Sequence, residues 1–307
     1  MKKLKSELTW SFSRSRLFNE CRRAYYYHYY ASWGGWDANS NQFCRKAYVL
    51  KNVRNVDAWI GDIVHQVIKW ILQSKVRNNE TLFNESKDIP YEKAIKTAKN
   101  ILTKTWEQSR SKQWKENIKK NLNLFEHYYN LELDRDQLKL KLEKVTKSIR
   151  NFYNSGLFGK FSKLSVDKFL SIDQLDSFDF EGTKLFAIPD FAVQDSKKCL
   201  LYDWKTGKKN DKDISQLSCY ILYAMNKWKM SENEIKIVPV YLVQDEFLPL
   251  PVEAITSEQT KKYIRQSIKE MKDILVDIKA NKTEISNCPK TDELWRCQRC
   301  KFQEICS

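Results

Sequence analysis

The sequence predicts an α/β or α+β core with a helical elaboration, and three observations lead to this fold class. Apolar residues recur at helical spacing through the first half of the chain. From about Leu164 the pattern changes to short apolar runs that alternate with turns, as in consecutive strands. A short cysteine-rich tail closes the chain. Helices followed by strands and a further helix predict a sheet with helices packed against it.

The first half contains the predicted helices. Ser13 is a candidate N-cap for the first of them, which ends at the Trp-Gly-Gly-Trp sequence of residues 33–36. We interpret residues 1–307 as a single domain in which residues 75–160 form a Lys-rich helical insertion or subdomain. The helical segments are Ser11–Tyr30, Asp57–Val76 and the stretch from Tyr91 to Tyr153.

The second half contains the predicted strands, mostly linked as hairpins. Two helices interrupt or follow them, Ile214–Lys229 and Ser257–Lys282, the latter with Ser257 as its cap. The strand candidates are KLSVDKFLSI, TKLFAIPDFAVQ, CLLYDWKTG, IKIVPVYLVQ and FLPLPVEAI.

Composition restricts the classes of function. The chain has 307 residues with 54 Lys and Arg against 39 Asp and Glu, a net charge of +15 that favours a polyanionic partner. It contains no run of about 18 apolar residues, so we expect no membrane span. Its N-terminus lacks a secretory apolar segment, which predicts a cytoplasmic location. The eight cysteines are therefore expected to be thiols or metal ligands rather than disulfides.

An acid and a lysine follow the apolar part of one predicted strand, CLLYDWKTG. Asp203 and Lys205 are two positions apart and so point to the same face. Asp190 ends the strand LFAIPD, and a hairpin between the two strands brings both carboxylates to one end of the sheet. Two such carboxylates favour a divalent cation, Mg²⁺ or Mn²⁺, next to a lysine that serves a water or a phosphate. The alternative is a surface hairpin with an incidental ion pair. His65 is a possible third ligand or, alternatively, a histidine of the core.

The tail contains three closely spaced cysteines in a C-x2-C-x5-C pattern, which predicts a metal site. Tetrathiolate Zn²⁺ and a [4Fe–4S] cluster both fit four thiolates, and either Cys288 or Cys21 can supply the fourth. The three tail cysteines are Cys297, Cys300 and Cys306. The simplest interpretation of the remaining three, Cys44, Cys199 and Cys219, is that they are core residues.

Six pieces of sequence, in this order, resemble the PD-(D/E)XK nucleases of the RecB type. The resemblance is greatest to the branch with an iron–sulfur cluster, which includes the AddB nuclease domain and CRISPR-associated adaptation nucleases. It extends over nearly the whole chain. The pieces are SFSRSRLFNECRRAYYY, GDIVHQVI, IPDFAVQD, LYDWKTG, QLSCYILYA and CQRCKFQEIC.

The resemblance implies a restriction-endonuclease-like core, with a mixed central sheet flanked by helices, and a role for each matched residue. His65, Asp190 and Asp203 would bind the catalytic Mg²⁺ or Mn²⁺, and Lys205 would serve the attacking water. The other matched residues form two groups. One group would line the active site, and the other would hold a [4Fe–4S] cluster that joins the tail (284–307) to the N-terminal segment. They are Gln216 and Tyr220 for the active site, and Cys21, Cys297, Cys300 and Cys306 for the cluster. The chain departs from the family pattern at Arg22, where proline often follows the first cysteine.

The implied activity is that of a metal-dependent deoxyribonuclease with a preference for single strands or ends. Arginines near the N-terminus are candidates for phosphate contacts, and the aromatic residues beside them, including Trp33 and Trp36, are candidates for stacking on unpaired bases. These arginines are Arg14, Arg16, Arg22 and Arg23.

Two other classes of function are compatible with the same residues. One is a DNA-binding subunit of a larger helicase–nuclease or adaptation complex, in which catalysis is secondary. The other is a zinc-ribbon interaction module that uses Cys288 instead of Cys21. No G-x-x-x-x-G-K-[ST] motif occurs, so any motor is expected on a separate helicase, or the partner is a CRISPR or defence protein. DNA repair, recombination and antiviral defence all use the family.

Overall fold

The computed structural model describes residues 6–79, 88–210, 212–247 and 256–306, and it has a mixed α/β architecture that confirms the predicted fold class. The helices are α1 (Phe12–Glu20), α2 (Arg22–Tyr26), α3 (Gln42–Lys51), α4 (Val56–Asn79), α5 (Tyr91–Arg110), α6 (Phe125–Tyr128), α7 (Arg135–Asn154), α8 (Leu157–Lys163), α9 (Lys212–Lys227), α10 (Ser257–Asp273) and α11 (Leu294–Gln298). The strands are β1 (Thr9–Ser11), β2 (Phe169–Ile172), β3 (Phe178–Phe180), β4 (Thr183–Phe186), β5 (Phe191–Asp195), β6 (Lys198–Lys205), β7 (Ile235–Tyr241), β8 (Glu246–Phe247), β9 (Leu275–Asp277) and β10 (Lys282–Thr283).

A five-stranded mixed sheet in the order β2-β5-β6-β7-β8 forms the centre of the molecule. β5 and β6 make an antiparallel hairpin, whereas β6 and β7 are parallel and are connected through α9. A second sheet, in the order β1-β4-β3, places the N-terminal strand parallel to β4. The five-stranded sheet is therefore mixed, because it contains antiparallel pairs and also the parallel pair β6–β7, which a crossover helix connects.

Both faces of β6 are buried, because side chains alternate between two hydrophobic cores. Leu200, Tyr202 and Trp204 belong to the core that includes α4 and α7. Cys199 and Leu201 belong to the core that includes α9 and α10. Asp203 and Lys205 continue this second series, so they face α9.

The long helices of the first half pack on α4 in one core. Ala94 and Ala98 of α5, and Val145 and Ile149 of α7, are all buried there. The division of the chain into a core and an insertion at 75–160 stays a prediction.

Several predicted boundaries were wrong. Ser11, not Ser13, caps α1, since its hydroxyl accepts from the Arg14 N–H. The predicted helix over 11–30 is interrupted at Cys21, whose extended backbone separates α1 from α2 and whose Sγ accepts from the Ala24 N–H. A π-helical turn over Tyr27–Ala31 then follows α2.

The last long helix is shorter than predicted. Thr256 rather than Ser257 caps α10, which ends at Asp273. Leu275 and Asp277 then pair with Thr283 and Lys282 in the hairpin of β9 and β10. Most of the strand candidate FLPLPVEAI lies outside the described residues.

The two ends of the chain pack together. Phe302 of the tail shares a small core with Ala24, Tyr27 and Leu50. The Arg23 N–H and side chain donate to the Pro289 and Cys288 carbonyls at 3.0 and 2.7 Å. Among the described residues, no helix combines the length and apolar character needed to cross a membrane.

Candidate active site

The β5–β6 hairpin sets the position of both predicted carboxylates. Phe191 pairs with Tyr202, and the same register continued by one residue places Asp190 opposite Asp203. Asp190 lies directly before β5 rather than at the end of a strand LFAIPD, as the sequence suggested, because β4 stops at Phe186. Pro189 in the break has no N–H to donate to a ladder. The expected convergence at one end of the sheet is present, although Asp190 precedes a strand instead of ending one.

Four side chains form a closed ring of polar contacts between β6 and α9. Asp203 Oδ2 lies 2.8 Å from Lys205 Nζ, and Lys205 Nζ donates to Gln216 Oε1 at 3.0 Å. The Gln216 amide donates to the Tyr220 hydroxyl at 3.3 Å, and this hydroxyl donates to Asp203 Oδ1 at 2.9 Å. Gln216 and Tyr220 are one helical turn apart, so one face of α9 completes the ring.

Asp190 connects this ring to α4. Its Oδ1 lies 3.0 Å from His65 Nδ1, and its Oδ2 accepts from the Trp204 N–H at 2.7 Å. The backbone bond ties the Asp190 carboxylate to β6, beside Asp203. The structure therefore brings together all six residues predicted for the catalytic site.

Burial and charge alter the acidities of this site. Burial of Asp203, followed by the Asp190 charge, raises the Asp203 pKa to about 6, against the lowering effect of Lys205 and Tyr220. Burial acts to lower the pKa of His65, but the Asp190 carboxylate outweighs it and raises this pKa to about 9. Burial, followed by the Asp203 charge, raises the Tyr220 pKa well above its ordinary value, so Tyr220 stays a hydrogen-bond donor.

The residues present fit a divalent cation. Asp203 is 3% exposed, and its Oδ2 accepts no hydrogen bond from the described residues apart from its ion pair with Lys205. Such an atom is a ready ligand for a hard cation. No three His, Cys, Asp or Glu side chains in the described part of the chain are grouped as a complete metal site. Mg²⁺ commonly binds through one or two carboxylates with water and substrate phosphate rather than in an all-protein cage.

His65 lines a cleft of about 450 Å³. The other residues that line it were not predicted from the sequence. Lys69 is one turn beyond His65 on α4 and lines the same cleft. Its Nζ donates to the Asp173 carbonyl at 2.7 Å and lies 2.9 Å from the Asp173 carboxylate. The spacing of four residues from His65 was the signal that could have identified Lys69.

The four predicted phosphate-binding arginines have different environments. Arg14 is 4% exposed, donates to Tyr25 and Thr9, and lies over the Tyr29 ring at 4.2 Å. Its prediction as a surface contact is wrong, because these partners hold it in the interior. Arg23 is part-buried and fixes the tail. The two that are exposed are Arg16 and Arg22.

The cysteines predicted to bind a cluster lie near one another. Cys21, Cys297 and Cys300 line one cavity of about 260 Å³, and Cys306 packs with Cys21 and Cys300 beside the small core at the chain ends. Burial, and then the charges of the other three thiols, raise the pKa of Cys300.

The other cysteines lie elsewhere. Cys288 is fully buried in the core that includes α9 and α10, as are Cys199 and Cys219, for which the core prediction is confirmed. Cys44 is only part-buried and donates to the Trp33 carbonyl, so its assignment to the core was wrong.

Comparison with known protein families agrees with this fold. The family model of the PD-(D/E)XK nuclease superfamily matches residues 9–307. The chain therefore belongs to the PD-(D/E)XK nuclease superfamily, whose members are mostly metal-dependent nucleases that usually use Mg²⁺ or Mn²⁺. Pro189-Asp190 and Asp203-x-Lys205 correspond to the motif in its name. The match does not identify an AddB-type or iron–sulfur branch.

The remaining comparisons are distant. The crystal structure of SSO0001 aligns with 15% identity and a TM-score of 0.29 over 59% of this chain and 78% of that chain. A search of the curated proteins finds no significant match.

Proposed function

We propose that the chain is a divalent-metal-dependent deoxyribonuclease that hydrolyses phosphodiester bonds at the Asp190, Asp203 and Lys205 site. The closed ring of Asp203, Lys205, Gln216 and Tyr220 is the observation that carries the proposal. A purely structural Asp–Lys ion pair needs no second carboxylate beside it. The part-buried Asp190 opposite Asp203 costs free energy, because two adjacent carboxylates repel unless a cation joins them. The net charge of +15 suits a polyanionic substrate.

Each residue of the ring has a role in the proposed reaction. The Tyr220 hydroxyl donates a hydrogen bond to Asp203 Oδ1. Asp203 Oδ2 is therefore the oxygen that faces Lys205 and that would bind the cation. Gln216 fixes the Lys205 ammonium, which stabilises the charge that develops on the phosphate and orients the attacking water. Asp203 is ionised above pH 6, since its pKa is about 6.

The cation and the histidine complete the proposed site. A bound Mg²⁺ or Mn²⁺ polarises a phosphate oxygen and lowers the pKa of its water. Asp190, Asp203 and the part-buried His65 are the residues that would hold it. To act as a ligand, His65 must give up the proton that its pKa of about 9 retains at neutral pH, because only a neutral imidazole binds a metal.

We propose single-stranded DNA or DNA ends as the preferred substrate, in repair, recombination or defence. The support is the family and the basic surface, together with two exposed tryptophans, Trp33 and Trp36. A separate helicase or a CRISPR or defence protein is the proposed partner.

The test compares wild type with Asp203→Asn on labelled single-stranded, duplex and circular DNA, with Mg²⁺, Mn²⁺ or EDTA. We expect cleavage by wild type with metal and none by the variant, with DNA affinity retained by both. DNA binding without turnover by the wild type in either metal would instead favour the binding-subunit alternative.

We further propose that Cys21, Cys297, Cys300 and Cys306 hold a [4Fe–4S] cluster, with Zn²⁺ as the alternative. The support is the cavity that Cys21, Cys297 and Cys300 share, the packing of Cys306 beside it, and the return of the tail to α1 and α2. Four thiolates are the ligand set of either group. Cys288 is enclosed in a different core, which favours Cys21 as the fourth ligand.

Metal analysis of anaerobically purified protein tests this second proposal. Iron and acid-labile sulfide in wild type, lost in Cys21→Ser but kept in Cys288→Ser, would support the cluster. Stoichiometric zinc with the same dependence on Cys21 would select the alternative. Metal loss only in Cys288→Ser would contradict the ligand set.

A further inference from the structure

A groove of about 450 Å³ lies outside the proposed active site, between α3 with its preceding turn and the loop after α5. Trp36 and Tyr48 form one wall, and Trp114 stands in the other. The loop that carries Trp114 belongs to the helical stretch for which the sequence suggested no function.

The tryptophan rings of the groove are held in place while leaving area open to a ligand. Trp36 is 44% exposed, and it meets Trp33 and Tyr48 edge-on, with ring centroids 5.2 and 6.0 Å apart. Trp114 is part-buried against Tyr128, at 5.5 Å. Because Trp36 packs edge-on and Trp114 is only part-buried, both walls of the groove offer aromatic surface to a ligand.

Cations accompany the rings. Lys119 Nζ lies 6.0 Å from the Trp36 centroid, and Lys115 Nζ lies 5.9 Å from the Trp114 centroid. Arg45 also lines the groove, and Glu116 is the carboxylate among its lining residues. Proteins that bind single strands use this combination of cations and aromatic rings. The cations contact the phosphate backbone, and the bases stack on the rings.

The two walls are fixed to each other. The Arg54 N–H donates to the Asn123 carbonyl at 2.9 Å, and the Phe125 N–H donates to the Arg54 carbonyl at 2.7 Å. Gly35 lets the first wall close, because a Cβ there would lie 2.4 Å from the Cβ of Tyr48. A fixed groove lowers the entropy that a ligand must overcome on binding.

We propose that this groove binds an unpaired DNA strand outside the active site. Bases would stack on Trp36 and Trp114, and Lys115, Lys119 and Arg45 would contact phosphates. This inference deepens the proposed function, and its role in substrate capture rests on that function. α4 begins directly after the groove, and His65 follows Val56 by nine residues, about 14 Å along the helix.

The aromatic walls favour a single strand over a duplex. Base faces in a duplex are already stacked on their neighbours, so the tryptophans have nothing to stack on. The cations alone would bind both forms, which makes the difference between single strand and duplex the informative quantity.

The test measures binding of fluorescent oligo-dT and of a duplex by anisotropy in EDTA, so that no cleavage occurs. We expect Trp114→Ala and Trp36→Ala each to weaken oligo-dT binding by roughly 5- to 150-fold, the range for loss of one stacked base. Lys115→Gln with Lys119→Gln should reduce the magnitude of the salt slope by about 1.4, at about 0.7 for each lost phosphate contact.

Matched controls keep the test specific. Leu140→Ala removes an α7 side chain that is 64% exposed elsewhere, and Lys269→Gln with Lys272→Gln removes two exposed charges of α10. Neither should alter oligo-dT binding by as much as the groove variants. Thermal unfolding of every variant separates a loss of binding from a loss of folding.

Unchanged oligo-dT affinity in folded groove variants would overturn the inference, as would an equal loss for duplex and single strand. The result of this binding test can be distinguished from the result of the cleavage test of the proposed function. If wild type cleaves no DNA in any metal while the groove variants lose oligo-dT binding, the nuclease proposal fails and the groove stands. If cleavage occurs and the groove variants bind normally, only the groove fails.

Discussion

Replacement of Asp203 by asparagine should stabilise the metal-free protein at neutral pH while removing its activity. Asp203 is 3% exposed and lies beside a second carboxylate, so its ionisation is unfavourable in the folded state. Burial, and then the Asp190 charge, raise its pKa from 3.8 to about 6. Asparagine has nearly the same shape and carries no charge.

The magnitude follows from the difference in pKa between the folded and unfolded chain. The folded state holds the Asp203 proton more tightly, so the contribution of this group to stability falls as the pH rises from about 4 to about 6. A shift of about two pKa units, at about 1.4 kcal/mol each, is worth about 3 kcal/mol. Asp203→Asn should therefore match wild type near pH 4 and exceed it by up to about 3 kcal/mol above pH 6.

Urea unfolding in EDTA from pH 4 to pH 8 measures this difference. Asp195→Asn, at the other end of the same hairpin, is the control: its carboxylate pairs with Lys160 at 3.1 Å on the half-exposed surface and should change stability by less than about 1 kcal/mol. Saturating Mg²⁺ should raise the stability of wild type and leave that of Asp203→Asn unchanged. A variant less stable than wild type at pH 8 in EDTA would refute the reasoning, since the ion pair with Lys205 would then outweigh the repulsion and burial.

Three further substitutions test the supports of the site. Tyr220→Phe removes the hydrogen bond to Asp203, so cleavage should fall about tenfold for about 1.4 kcal/mol lost, whereas Tyr223→Phe on the same helix should not change cleavage. Phe161→Ala opens a cavity behind the sheet and should lower the free energy of unfolding by about 3 to 5 kcal/mol, measured in urea; a loss below about 1 kcal/mol would contradict its place in the core. Arg14→Met should destabilise the protein by about 2 kcal/mol without weakening DNA binding, and reduced DNA affinity in a stable variant would restore Arg14 as a surface contact.

The local chemistry of the site could be predicted because it depends on strand alternation. Asp203 and Lys205 share a face of β6 whatever the partner strand, and the structure gives an ion pair of 2.8 Å. The same rule explains the error at Asp190. Alternation does not say where one strand stops, and the break after Phe186 follows from a change of sheet that local sequence does not encode.

Long-range packing accounts for the larger errors. Arg14 is typical of a surface helix in its sequence context, yet β1 and the aromatic residues of α2 enclose it. The predicted helix at the N-terminus continued through Cys21, because no glycine or proline marks the break at that residue. Tertiary contacts with the tail, through Arg23 and Tyr27, accompany the interruption.

The groove was beyond the reach of sequence reasoning for a similar reason. Trp36 and Trp114 are separated by 78 positions, and the bridge between Arg54 and Leu124 brings their segments together. The sequence did mark Trp36 as a candidate for base stacking, but it gave no sign of the opposite wall.

The most direct test of the account is the single-turnover rate of DNA cleavage by Lys205→Met at saturating Mn²⁺. Lys160→Met, which removes the α8 lysine that pairs with Asp195 at the opposite end of the hairpin, is the matched control. The account predicts that Lys205→Met binds Mn²⁺ and DNA but does not cleave, while the control cleaves at the wild-type rate. Cleavage by Lys205→Met at the wild-type rate would contradict the account, since the chemistry would then lie outside the Asp203–Lys205 site.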